Sequence, residues 1–219
     1  MYLKRKADAY LNAWKSDPNR SPLIIKGPRQ VGKTETIDYF AAHNYRSVVE
    51  INFVEEPKYR AITADGYGAN TIVRNISLID PAKKFIPGDT LIFFDEIQAH
   101  PDIATALMFF KIDGKYDVIC SGSMLGISYK QIESNSVGYK TDYEMRSLDF
   151  EEFLWARGYD EAVIESMFTH LCDATPFSEV EMNVFSTAFM DYCVLGGMPA
   201  VVASHIRTST FEGTLQLQR

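Results

Sequence analysis

The eight residues GPRQVGKT, Gly27 to Thr34, put a glycine at each end of a loop and follow the second with a lysine and a threonine. The spacing is G-x-x-x-x-G-K-[ST], in which backbone N–H groups turn inward around phosphate oxygens. A Cβ would obstruct that close approach, hence the glycines. Lys33 then supplies a point charge for the β- and γ-phosphates, and Thr34 a hydroxyl for Mg2+. A helix opening at the loop adds its N-terminal dipole and free N–H groups. The candidate nucleotide-binding residues are Gly27, Pro28, Arg29, Gln30, Val31, Gly32, Lys33, Thr34 and, in the first helical turn, Glu35.

Two further stretches carry chemistry. LIFFDE ends an apolar run in Asp95 and Glu96, and the carboxyl end of a buried parallel strand is where ligands bind in open α/β sheets. Asp95 is the second candidate metal ligand beside Thr34, and Glu96 the group to polarise an attacking water. In P-loop ATPases with such a glutamate, an extra strand separates the loop strand from the acidic strand and ends in a polar γ-phosphate sensor. ICSGS offers Ser121 or Ser123 for that role, with Gly122 permitting close approach. The candidate catalytic residues are thus Glu96, Lys33, Ser121 and Ser123.

These residues need a scaffold, and the pattern supplies one. Leu3, Ala7, Tyr10, Leu11 and Trp14 recur at helical spacing, and the helix ends near SDPNRSP. PLIIKG reads as a buried strand, KTETIDYFAAH as a helix with Ile37, Phe40 and Ala41 on one face, and SVVEINFV as a second strand. The stretch from Glu55 to Pro81 reads as two helical pieces broken around Gly66 and Gly68; DTLIFFDE, YDVICSG and YKTDYEMRSL are further strands. PDIATALMFFKID is a helix started by Pro101. Strands apolar along their length and alternating with helices imply a parallel sheet covered on both faces. After Leu148 the pattern becomes helical, with capping boxes at Asp149–Glu152 and Ser178–Glu181, and LGGMP ending a helix. The expected fold is a three-layer P-loop NTPase α/β sandwich over residues 1–147, with a helical, lid-like segment over 148–219.

Composition bounds the rest. The net charge of −7 argues against broad binding to nucleic acid, which rests on phosphate neutralisation. LKRK at Leu3–Lys6 and AKK at Ala82–Lys84 are the local basic runs that keep such binding open. Cys120, Cys172 and Cys193 match neither a disulfide framework nor metal spacing, and reduced buried thiols are expected. His43, His100, His170 and His205 share no ligand spacing. The aromatics Phe150, Phe153 and Trp155 are expected to pack the appendage onto the core. No signal core or spanning run is present, so a cytoplasmic protein is expected, without a membrane partner.

Taken in order, GPRQVGKT, LIFFDEIQ, SGSMLG, LDFEEFLWA and LGGMPAVV resemble the prokaryotic AAA-type P-loop ATPases of uncharacterised role. In that family an ATPase core precedes a helical or winged segment and a C-terminal domain of unknown function. The resemblance implies ATP rather than GTP as cofactor with Mg2+, and an AAA-like strand order with the loop strand central. It assigns Lys33, Thr34, Asp95 and Glu96 as above and adds Gln98 behind the acidic pair. It also implies a partner protein, or the chain's own C-terminal domain beyond FEGTLQLQR, where the sequence stops in a helical region, and it allows oligomerisation. Family members often carry a Gly-Arg pair after the sensor strand, whereas here Gly138 is followed by Tyr139. Arg146, Arg74 and Arg29 are weak substitutes for a triggering arginine. The expected activity is Mg2+-dependent ATP hydrolysis coupled to a partner. The alternatives are a nucleotide-gated interaction module with negligible hydrolysis and, ranked lower, a P-loop kinase.

Overall fold

The computed structural model describes residues 1–123 and 138–211. Met124 to Gly126 of SGSMLG and the end of FEGTLQLQR lie outside them. The elements are α1 (Lys6–Ser16), β1 (Leu23–Gly27), α2 (Lys33–Asn44), β2 (Ser47–Asn52), α3 (Ala69–Ile79), β3 (Thr90–Asp95), α4 (Ile103–Asp113), β4 (Asp117–Ser123), β5 (Thr141–Glu144), α5 (Phe150–Ala156), α6 (Glu161–Asp173), α7 (Glu179–Leu195) and α8 (Pro199–Thr208). Short 3-10 helices occupy Pro57–Thr63 and Ile97–Ala99. The described residues fall into two compact units: an α/β unit of Tyr10–Arg29 and Lys33–Met145, and a helical unit of Met1–Ala9, Gln30–Gly32 and the chain from Arg146.

In the α/β unit the described strands form one parallel sheet in the order β2-β3-β4-β1-β5. Strand β4, the expected sensor strand, therefore lies between the loop strand β1 and the acidic strand β3, paired in parallel with both. β1 is interior, flanked by β4 and β5, while β4 is the middle strand. Every residue of β3 is buried, as a strand covered on both faces requires. β2 and β5 depart from the uniform burial expected: Val48 and Glu50 are exposed while Val49 and Ile51 are buried, and β5 alternates half-buried with exposed residues. They are the outer strands of the described sheet, and successive side chains on a strand point to opposite faces. Ile51, Phe53, Ile92 and Phe94 belong to the core against α3 and α4, with Ile72, Ile76, Leu107 and Phe110. Trp14, Phe40 and Tyr45 form a second aromatic chain, with ring centroids 6.3 and 5.9 Å apart. Helix α4 begins two residues beyond Pro101, because Pro101 and Asp102 form the preceding turn.

The helical unit is closed by its own side chains. Both expected capping boxes are formed, Asp149 with Glu152 at α5 and Ser178 with Glu181 at α7. Gly196, at φ 67°, ends α7. Phe153 packs with Leu3, Leu148, Leu195, Val201 and Val202. Leu154 packs with Ile164, Met167, Phe185 and Ala188, with Phe150 and Trp155 against them. These aromatics thus pack within the helical unit. Helix α5 has helical neighbours within that unit. Cys120 is buried, but Cys172 and Cys193 are exposed on helix surfaces, so only one of the three thiols is a core residue. No helix among the described residues is long and apolar enough to cross a membrane.

Candidate functional site

The site is built on the carboxyl ends of β1, β3 and β4. β1 ends at Gly27, and a Cβ there would overlap the carbonyl oxygen of Met145. The loop then runs to α2, which opens at Lys33. Gly32 has φ 87°, a left-handed angle that glycine adopts without strain. Lys33 is buried, and its ammonium donates to the carbonyls of Gly27 (3.1 Å) and Pro28 (2.7 Å). Burial pushes its pKa below the ordinary lysine value, against the raising pull of Glu96 and Asp95. Arg29, Gln30 and Glu35 are exposed, while Val31 is buried.

Asp95 is the hub. It ends β3 and is 5% exposed. Its Oδ1 accepts from the Ser121 hydroxyl and, at 2.9 Å, from the N–H of Glu96. Its Oδ2 accepts from Thr34 Oγ1 at 3.2 Å and from Asn52 Nδ2 at 3.3 Å. The structure therefore brings Lys33, Thr34, Asp95 and Ser121 together. Ser123 lies further along β4, buried and in register with Gly27. Glu96 follows with a left-handed backbone, φ 54° and ψ 46°, and its Oε2 accepts from Gln98 Nε2. Gln98 Oε1 is buried without a hydrogen-bond partner, 2.8 Å from where a Cβ at Gly122 would stand.

Asn52 escaped the sequence reading. Its local signal was weak: it is the polar residue that ends the strand SVVEIN, and only the sheet register pairs it with Asp95. Asp38 and Glu50 also went unnoticed. Both residues are exposed overall, yet their carboxyls are pushed above their usual range, first by partial desolvation and then by negative neighbours that include Asp95. The site is thus crowded with negative charge.

The residues of the basic runs make local ion pairs and hydrogen bonds. Lys4 pairs with Glu161, Lys6 with Asp149 (2.5 Å) and Glu151 (2.7 Å), and Arg5 with Glu152 (3.1 Å). Lys83 and Lys84 donate to the carbonyls of Glu50 and Pro81.

A family described as "AAA domain" matches residues 19–154, more than half of the chain and all of the site just described. The chain belongs to that AAA domain family. None of the curated proteins compared with it matches. Among solved structures, it superposes with TM-score 0.52 and 13% identity on a Signal Transduction ATPase with Numerous Domains (STAND) protein with a tetratricopeptide repeat sensor from Pyrococcus horikoshii. That match covers 99% of this chain and 33% of the other, and it shows the fold alone. Looser matches are C. elegans PCH-2 (TM-score 0.41, 11% identity, 81% of this chain, 50% of the other) and the Aeropyrum pernix ORC1 protein in complex with DNA (0.42, 13%, 70%, 48%). The AAA chain spans between a third and a half of the length of these structures.

Proposed function

We propose that this AAA domain binds Mg·ATP on the loop Gly27–Glu35 and hydrolyses it, coupling nucleotide state to a partner protein or an appended domain. The observation that carries the reading is the convergence of Thr34 and Ser121 on Asp95, beside the buried ammonium of Lys33. A hydroxyl and a carboxylate are hard oxygen donors of the kind a magnesium site uses. Thr34 and Asp95 would hold Mg2+, which when bound neutralises charge on the β- and γ-phosphate oxygens. Lys33 adds a fixed positive charge, Glu96 orients and deprotonates the attacking water, and Ser121 links the sensor strand to Asp95. Such a reaction leaves the protein mainly positioning and charge stabilisation.

One observation favours a second reading, a nucleotide-gated module that turns over slowly by itself. Gln98 already engages the Glu96 carboxylate, so the base is occupied until something displaces the amide. Steady-state ATPase assays with and without DNA separate the two, and Glu96→Gln tests the base. The variant is expected to bind Mg·ATP as the parent does and to lose about 10²–10⁴ in kcat, the usual contribution of a positioned base. Hydrolysis by Glu96→Gln at the parent rate would place the base elsewhere.

A further inference from the structure

Arg5 is a charged residue in the least expected place. It belongs to the run LKRK, yet it is 4% exposed and lies inside the helical unit, to which Gln30–Gly32 also belong. Its guanidinium makes three directed contacts. Nη1 donates to the carbonyl of Val31 at 2.7 Å, Nη2 to the carbonyl of Arg146 at 2.7 Å, and Nε to Glu152 Oε1 at 3.1 Å. Glu152, also 4% exposed, is held by the backbone N–H groups of Lys6 (2.7 Å) and Asp149 (3.2 Å), the latter completing the α5 capping box. A buried ion pair gains little stability over apolar residues of the same size. What this one provides is a rigid fork of donors, one of which ends on the phosphate loop.

We propose that Arg5 is a positioning residue of the phosphate loop, orienting the Val31–Gly32 peptide for a nucleotide phosphate. In a planar trans peptide the C=O and N–H point opposite ways. Clamping the Val31 oxygen therefore fixes the direction of the Gly32 N–H, one of the amides that a loop of this spacing offers to phosphate. Gly32 is the residue at which such a peptide turns over most easily, since its φ of 87° carries no side-chain restraint. The guanidinium is the restraint instead, and it anchors the loop tip to the capping box of α5. By reciprocity, phosphate held by that amide steadies the α5 entrance.

The inference rests on the reading of Gly27–Glu35 as a phosphate cradle, so the experiment includes a variant that tests that reading separately. Mg·ATP affinity is measured by titration for the parent, Glu152→Gln, the double variant Arg5→Met/Glu152→Gln, and Lys33→Met. Glu152→Gln neutralises the carboxylate while its amide oxygen can still accept from Arg5, so the donor to Val31 is kept, and its affinity is expected within about threefold of the parent. The double variant leaves no unpaired buried charge and differs by the guanidinium alone; it is expected to bind about ten- to a hundredfold more weakly, one hydrogen bond to a charged group. Equal affinities of the single and double Arg5/Glu152 variants, with Lys33→Met defective, overturn the role of Arg5 and leave the cradle standing. A Lys33→Met protein that binds normally overturns the cradle reading and the inference with it. If the double variant does not fold, the unmodified protein decides: amide exchange at Asp149–Phe153 slows on adding Mg·ATP, and unchanged exchange there refutes the link.

Discussion

Replacing Lys33 by methionine keeps the length of the stem and removes the charge. The ammonium has three N–H donors, of which two are committed to the carbonyls of Gly27 and Pro28 at 3.1 and 2.7 Å. One donor remains for a phosphate oxygen. A hydrogen bond between charged partners contributes about 1.5–3 kcal/mol. Coulomb attraction at about 4 Å and an effective dielectric of about 20 is about 4 kcal/mol before desolvation is subtracted. A net loss of about 3 kcal/mol is a reasonable centre, which is about two decades in Kd. Thermal unfolding with and without Mg·ATP reads this directly. At a ligand concentration about 100 times the parent Kd, binding stabilises the parent by about 2.7 kcal/mol, or about 5–11 °C for a chain of this size. Lys33→Met would then sit near its own Kd and gain about 0.4 kcal/mol, a shift of about 1–2 °C. The apo midpoint of the variant can fall as well, because two carbonyls lose a donor, so the quantity compared is the ligand-induced shift. A full shift in Lys33→Met would refute the assignment of this lysine to phosphate.

Other perturbations test the scaffold. Phe153→Ala empties a fully buried position among Leu148, Leu195 and Val201 and should cost about 3–5 kcal/mol, read as a fall in the urea midpoint. His100 hydrogen-bonds Thr63 at 3.0 Å and packs on Phe53, and burial pushes its pKa below the ordinary 6.5, with Arg60 reinforcing and Asp102 opposing. The unfolded chain therefore binds more protons than the folded one between the depressed pKa and 6.5, and stability must rise with pH through that window and be lost as pH falls. His100→Gln should flatten this part of the stability–pH curve; Asp38 and Glu50, whose raised carboxyls act with the opposite sign, are common to both proteins and cancel in the difference.

Much of the candidate site was legible because its residue types are tied to short local geometry. Gly27, Lys33 and Thr34 occur at one spacing, and Asp95 closes a run whose burial follows from LIFF itself. What could not be read was side-chain direction across the sheet. Ser121 and Ser123 lie on the same strand two residues apart, and only the register with β1 and the contact to Asp95 separate them. Asn52 was hidden for the same reason, since its role depends on β2 pairing with β3. The basic run LKRK misled in a different way. Charge count says nothing about partners, and Arg5 finds its carboxylate 147 residues along the chain. The burial of α5 aromatics within the helical unit likewise depended on α6, α7 and α8 being present as neighbours.

The backbone of Glu96 carries a consequence for how this protein would drift under artificial selection. A non-glycine residue at φ 54° and ψ 46° costs about 1–2 kcal/mol relative to a right-handed conformation. Glycine at that position would recover that cost while deleting the carboxylate. A library screened for heat resistance alone should therefore enrich Glu96→Gly, and one screened for the proposed ATP turnover should eliminate it. The same codon would register as a defect or an improvement according to which question the screen asks.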